Sequence, residues 1–283
     1  MSLPLHAHPF LKTVYEQVTL SAQQQRKKLV WVDDQPTQED LDHILREGSS
    51  DSEFDSNNLR KEVLRDLQAN RAKLVTKNSK IAKVLAIVYP DQEARIPWDT
   101  FAKIFTAFGP SHGKPWRFVW FANKRPRELP APMEKPAAGH MNGGYTYPCD
   151  PSAVVVYREE EVARVLVHEL LHAACTDAKG DMIELIEAKT ETWAEIFLIA
   201  VLSAGKPRLF AQLWKIQAQW IADQEYLLMN EHGVQAPTDY AWRYTLGRRF
   251  VLQGFGVNLP GPSADPRANI AGSMRFTSPA ICK

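Results

Sequence analysis

The sequence predicts a predominantly helical α+β protein, and three observations support that prediction. Apolar residues recur at helical spacing in several long stretches, of which the clearest are residues 181 to 202 and 208 to 230. Two short segments rich in β-branched or aromatic residues, 116 to 122 and 153 to 157, are typical of buried strands. The composition, 45% hydrophobic and 24% charged over 283 residues, is that of a globular chain long enough for one large domain or two small ones.

The first 80 residues are predicted to form an N-terminal helical segment or cap. Helical patterns cover residues 9 to 30, 36 to 47 and 57 to 75, and Thr37 stands at the start of the second helix. The favoured interpretation is a helical layer that completes the core. A lid over a site, a pro-segment and a partner-binding arm are the alternatives.

Residues 81 to 259 are predicted to form the main domain. It begins with an apolar segment that suits either a strand or a helix, followed by a short helix over residues 98 to 108. Another helix is predicted from Tyr240 onward. Residues 260 to 283 are rich in proline, glycine, serine and asparagine, which predicts an irregular C-terminal tail that docks loosely or is disordered.

Charge and cysteine content exclude several classes of protein. The net charge of +1 gives no electrostatic reason to expect a nucleic-acid or membrane partner. No apolar run is long enough for a transmembrane helix, and the N-terminus lacks the pattern of a signal peptide. The three cysteines are an odd number and too few for a disulfide framework. We therefore expect an intracellular, cytoplasmic protein.

The most informative stretch is His168-Glu169-Leu170-Leu171-His172, an H-E-x-x-H pattern. Positions i and i+4 of a helix lie on one face, so His168 and His172 can direct two imidazole nitrogens at one metal ion. Residues 162 to 174 are apolar nearly all round, which predicts a helix in a core. Buried histidines need polar partners, and a metal ion would satisfy both.

A third ligand is expected, because catalytic zinc sites usually have three protein ligands. Four glutamates follow at helical spacing: Glu184, Glu187, Glu191 and Glu195. Glu184 and Glu187 are interpreted as part of a solvated acidic face. Glu191 and Glu195 lead directly into an apolar run, so their carboxylates need a cation or hydrogen-bond donors.

The H-E-x-x-H pattern together with the later E-T-W-A-E segment resembles the gluzincin clan of metallopeptidases, which includes thermolysin-like and aminopeptidase-like families. In that clan a glutamate ligand follows on a second helix, and 18 residues separate His172 from Glu191 here. The resemblance covers residues 140 to 200. It implies a zincin-like catalytic domain with a small mixed sheet, and hydrolysis of peptide bonds in a peptide or protein substrate.

The resemblance also assigns roles to individual residues. One Zn²⁺ ion would be held by His168, His172 and Glu191. Glu195 would hold a ligand histidine in its tautomer by a hydrogen bond. Glu169 would be the general base toward a metal-activated water and would then pass the proton to the leaving amine.

Substrate contacts are expected at two places. In this clan the edge strand before the metal helix pairs with the substrate backbone, which suggests Asn142, Gly143 and Gly144, although a simple glycine turn is an equal alternative. A later tyrosine or histidine would stabilise the oxyanion, and Tyr240 and Tyr244 are the candidates on one helix face. His232 is a further candidate.

Two other functions remain open at this stage. In the first, the chain is a catalytically inactive zincin-fold protein with a structural or binding role. In the second, the metal site is structural and closed by a fourth ligand such as Cys175 or Glu195. The retained Glu169 favours an enzyme, because a protein without catalysis has no need of the base.

Overall fold

The computed structural model describes residues 9–24, 29–111 and 113–281, and within them the protein is α+β. About half of the chain is helical, and a small mixed sheet of six strands accompanies the helices. The helices are α1 (Pro9–Gln24), α2 (Gln38–Ser49), α3 (Leu59–Gln68), α4 (Trp98–Phe108), α5 (Ala138–Met141), α6 (Val162–Ala173), α7 (Ile183–Ser203), α8 (Pro207–Glu231), α9 (Leu246–Gly254) and α10 (Pro266–Ile270). The strands are β1 (Val32–Asp33), β2 (Lys73–Asn78), β3 (Ala82–Val88), β4 (Trp116–Phe121), β5 (Gly144–Tyr145) and β6 (Val154–Val156).

The strands lie in the order β1-β2-β3-β4-β6-β5. Strands β3, β4 and β6 are parallel neighbours, and the remaining pairs are antiparallel. Within the described part of the chain, strand β5 is therefore an edge strand whose one neighbour is β6, with Gly144 opposite Val156 and Tyr145 opposite Val155. This confirms the predicted strands at 116 to 122 and 153 to 157 and resolves the segment after residue 80 as strand β3.

The chain divides into two compact units. Among the described residues, the sheet unit comprises 21–24, 29–111, 113–126 and 142–176, and the helical unit comprises 9–20, 127–141 and 177–281. All six strands belong to the sheet unit, together with α2, α3, α4 and α6. The helical unit contains α5, α7 to α10 and residues 9–20 of α1.

The sheet unit has apolar side chains on both faces of its sheet because neighbouring residues of a strand point to opposite faces. Val119 and Phe121 pack with Leu59 and Val63 of α3 on one face. Phe118 lies on the other face and meets Phe101 of α4 at a ring-centroid distance of 5.4 Å. Helices α4 and α6 contact each other.

Part of the predicted N-terminal helical segment is strand. The expected helix over 57 to 75 ends at Gln68, and residues 73–78 instead form β2, which pairs with β3 along its full length. Asn70 has a positive φ of 55°, which a helix interior does not permit, so the chain turns there. Helix α2 forms as expected and is capped by Thr37 and Asp40, each bonding the other's backbone N–H.

Two further predictions are corrected in the helical unit. The helix expected from Tyr240 onward is divided into a 3-10 turn, Tyr240–Tyr244, and helix α9, with Thr245 in a non-helical conformation between them. The C-terminal tail is ordered and packed: Ile270, Met274 and Phe276 are each at most 2% exposed. The prediction of a loose tail was wrong because these few apolar residues fill the core of the unit. Of the helix predicted over residues 9 to 30, residues 25 to 28 lie outside the described residues, and residues 29 and 30 are not helical.

No helix among the described residues combines the length and the apolar character needed to span a bilayer.

Candidate metal centre

Helix α6 carries the H-E-x-x-H pattern and is buried over most of its length. It starts after Glu161, whose positive φ of 58° marks the turn into the helix. Apolar residues such as Leu166 and Leu170 are fully buried and fix the helix in the sheet unit. His168, Glu169 and His172 are between 6% and 8% exposed, so three ionisable groups lie in an apolar environment as predicted.

The Nε2 atoms of the two histidines lie close together. Nε2 of His168 lies 3.1 Å from Nε2 of His172, and the rings are 4.7 Å apart with an angle of 70° between their planes. One zinc ion would be able to bond both nitrogens, because Zn–N bonds of about 2.0–2.1 Å are longer than half of their separation. The i and i+4 positions therefore produce the donor pair that the sequence predicted.

Glu169 lies next to edge strand β5. A Cβ atom added to Gly144 would stand 2.7 Å from Val165 Cγ1 and 3.0 Å from Glu169 Oε1. Only glycine permits this close approach of the strand to α6, because real Cβ atoms do not approach other atoms so closely. Gly144 and Glu169 are thus neighbours, which supports the proximity expected between the glycines and the metal helix.

The register of β5 fixes the direction of the Gly144 backbone groups. Tyr157 N–H donates to the carbonyl of Gly143, and Gly144 and Val156 are therefore a pair without mutual hydrogen bonds. In such a pair the N–H and C=O groups point away from the partner strand. The N–H and C=O of Gly144 consequently face the open side of β5.

A disulfide lies at the C-terminal end of α6. Cys149 is bonded to Cys175, and the backbone N–H groups of both residues donate to the carbonyl of His172, at 3.2 and 3.1 Å. Both cysteines have positive φ angles and are exposed. The bond also removes the cysteine argument for a reducing compartment, since disulfides persist in oxidising ones.

The four glutamates of α7 lie in four different environments within the helical unit. Glu184 forms an ion pair of 3.4 Å with Arg243. Glu187 is half-buried and near enough to Tyr244 to contribute to the shift of its pKa. Glu191 is only 2% exposed, and Glu195 accepts hydrogen bonds of 3.1 and 3.2 Å from the hydroxyl of Thr277. Glu184 and Glu187 are therefore not part of an open solvated face.

The two candidate tyrosines lie together in the 3-10 turn. The hydroxyl oxygens of Tyr240 and Tyr244 are 3.5 Å apart. Burial, followed by the charge of Glu187, raises the pKa of Tyr244 well above 10. The Tyr244 hydroxyl therefore keeps its proton at neutral pH and can act as a hydrogen-bond donor.

Other candidate residues have structural partners. His232 Nδ1 lies 2.9 Å from the carbonyl of Glu134 and the residue is 3% exposed. Arg248 is fully buried and donates to Gln224 Oε1 and to the carbonyl of Phe276. The side chain of Asn142 donates to the carbonyl of Phe54.

Comparison of the chain with protein-family models, with curated proteins and with solved structures found no match.

Proposed function

We propose that the protein is a zinc-dependent metallopeptidase with a zincin-like fold. The observation that carries the proposal is the pair of imidazole nitrogens, 3.1 Å apart on one face of a buried helix. The glutamate between the histidines and the glycine edge strand beside it add the groups that peptide hydrolysis requires.

We propose Glu187 as the third ligand. Its carboxylate is half-buried on α7, the second helix to which the resemblance assigns the third ligand. Two imidazoles and one carboxylate are a donor set of catalytic zinc sites. The sequence-based choice of Glu191, one helical turn further on, stays a prediction that the same experiments test.

A bound zinc ion supplies a Lewis acid that polarises a carbonyl group and lowers the pKa of water. The chain's own residues would do the rest. Glu169 accepts the proton of the attacking water and gives it to the leaving amine. Gly144 offers one N–H and one C=O to the backbone of an extended substrate.

The oxyanion donor is proposed to be Tyr244, with Tyr240 as the second candidate. A donor to the developing oxyanion must be protonated at the working pH; a tyrosine is so at neutral pH because its pKa is ordinarily near 10, and burial raises the pKa of Tyr244 further. Glu195 is proposed to position a ligand histidine, although the partner described above is Thr277.

The alternative of a structural site closed by Cys175 lacks its ligand in this structure. A metal-binding cysteine must be a thiolate, whereas Cys175 is bonded to Cys149. A catalytically inactive zincin-fold protein remains the competing proposal. It predicts that substitution of Glu169 leaves the function of the protein unchanged.

The test is peptide cleavage by three proteins. Wild type, E169Q and E225Q are stripped with a chelator, reloaded with zinc and incubated with a peptide library that is read by mass spectrometry. Glu225 is a matched control, because it is 3% exposed on helix α8 and has no role in the proposed site.

We expect cleavage by wild type and E225Q, its loss in the stripped proteins, and a decrease of about 10²–10⁴-fold in E169Q at unchanged zinc content. Equal cleavage by E169Q and wild type would contradict the role of Glu169. No cleavage of any peptide by zinc-loaded wild type would refute the peptidase proposal.

A further inference from the structure

Three aromatic side chains line the edge strand on the side of the sheet opposite to α6. They are Phe54, Tyr145 and Tyr147, and we call them the aromatic ledge. The rings of Phe54 and Tyr145 stack at a centroid distance of 6.2 Å, and those of Tyr145 and Tyr147 meet edge-on at 6.5 Å. Phe54 is 46% exposed and Tyr147 is 55% exposed, while Tyr145 between them is buried.

The ledge is held in place by buried polar contacts. The Tyr145 hydroxyl accepts a hydrogen bond from Arg60 Nη1 and donates one to Glu47 Oε2, both at 2.6 Å. The carbonyl of Phe54 accepts hydrogen bonds from the Asn142 side chain and the Tyr157 hydroxyl. Arg60 and Glu47 are nearly inaccessible to solvent, so the middle ring of the ledge has a fixed position.

The geometry of a β-sheet predicts which side chains of an extended substrate would face the ledge. A substrate residue paired beside Gly144 would direct its side chain to the α6 face, because laterally paired residues of a sheet point to the same face. The residues before and after it would point to the opposite face, where Tyr145 lies. Those two substrate side chains would be about 6.4–6.8 Å apart, since a strand rises 3.2–3.4 Å per residue.

Neighbouring rings of the ledge are 6.2 and 6.5 Å apart, close to this separation. Two substrate side chains that are separated by one residue would therefore contact neighbouring rings of the ledge, and the exposed rings of Phe54 and Tyr147 extend that surface on either side of Tyr145. Apolar surface on both partners would be removed from water, which favours aromatic and large aliphatic side chains at those two positions.

We propose that the aromatic ledge is a specificity site that selects extended peptides with aromatic or large aliphatic residues at positions i and i+2, on either side of the residue paired with Gly144. The inference rests on the proposed peptidase function and adds its substrate class. The nearby arrangement of Gly144 and Glu169 places the same substrate segment beside the catalytic base.

Two readouts test the ledge separately from the chemistry. Fluorescence anisotropy measures binding of labelled peptides to zinc-loaded E169Q, and mass spectrometry measures cleavage of the same peptides by zinc-loaded wild type. The peptides form a matched set with Phe, Leu or Ala at positions i and i+2. Each protein is also prepared with F54A, with Y147A, or with the control F250A, which removes an exposed aromatic ring of helix α9.

The Phe and Leu peptides should bind and react about 10-fold better than the Ala peptide, and F54A and Y147A should each remove most of that preference. F250A should leave the preference unchanged. Equal binding of all peptides, or a preference that persists in F54A and Y147A, would overturn the ledge. Selective binding without any cleavage by wild type would refute the peptidase proposal and leave the ledge supported.

Discussion

Helix α6 of the sheet unit and helix α7 of the helical unit each carry buried ionisable side chains, but sequence spacing predicts the partners of these side chains much better in α6 than in α7. In α6 the spacing of His168 and His172 alone brings their nitrogens to within 3.1 Å. In α7 four glutamates share the same helical spacing, yet one pairs with Arg243 and another accepts from Thr277. Local spacing is therefore enough to predict a pair on one helix, whereas the role of each glutamate depends on what packs against it.

The largest effect is expected from removing the disulfide at the C-terminal end of α6. The disulfide between Cys149 and Cys175 closes a sequence separation of 26 residues and lies against the carbonyl of His172. Loss of the cross-link raises the entropy of the unfolded chain, so C149S/C175S should lose about 3–4 kcal/mol of unfolding free energy. Denaturant titration measures it, with C282S as the cysteine control.

A double variant as stable as C282S would show that α6 does not depend on the covalent tie. Three free thiols in the native protein, counted by alkylation and mass spectrometry, would contradict the disulfide itself.

Glu225 of α8 extends the comparison to a buried carboxylate that has no role in the proposed metal site. Burial raises its pKa to about 7, against the lowering effects of Arg249 and Arg248, and no described residue bonds its Oε1 atom. A folded-state pKa above the ordinary 4.5 means that its stabilising contribution is complete below pH 4.5 and is lost as the pH rises through about 7.

Between pH 4.5 and 8, wild type should therefore lose about 3 kcal/mol of unfolding free energy relative to E225Q. Parallel denaturant titrations across this range measure the difference, with the exposed E16Q as control. A constant difference between wild type and E225Q over the whole range would be inconsistent with protonation of Glu225.

A substitution at Gly144 tests the contact between α6 and edge strand β5. An added methyl group would meet Val165 and Glu169 at distances that force the strand away from the helix. G144A should lower the unfolding free energy by about 1–3 kcal/mol through overpacking and should also reduce peptide cleavage.

G254A is the matched control, since a Cβ at Gly254 meets no atom within 4 Å. It should keep wild-type cleavage and wild-type stability or better. A G144A protein that equals G254A in both measurements would show that β5 does not depend on the close approach.

Sequence patterns predicted most helices and the central strands, because periodic apolar residues report directly which face is buried. They failed at β2, where Leu74 and Val75 fit a helical stripe but the turn at Asn70 had already ended the helix. They also failed at the C-terminus, where buried Met274 and Phe276 occur without periodicity. Spatial neighbours such as Cys149 and Cys175 leave no local pattern that would reveal them.

The residues of the candidate site also differ in how well the sequence predicted them. His168, Glu169 and His172 were identified by their spacing, and their burial and geometry agree with that prediction. For the third ligand the sequence led to Glu191, whereas the proposal here is Glu187; one helical turn separates these two residues of the same type, so spacing alone distinguishes them poorly. Phe54 carried no signal, because its contact with Tyr145 joins positions far apart in the chain.

The central claim is the proposal that His168, His172 and Glu187 are the ligands of a zinc ion. The most direct test is the zinc dissociation constant of wild type, E187Q and E191Q, measured by competition with a chromophoric chelator. Loss of a ligand should exceed the 10–100-fold effect typical of residues that only support ligands. We therefore predict at least about 100-fold weaker binding for E187Q and less than about 10-fold for E191Q. The reverse order would assign the third ligand to Glu191, and no zinc binding by wild type would contradict the site altogether.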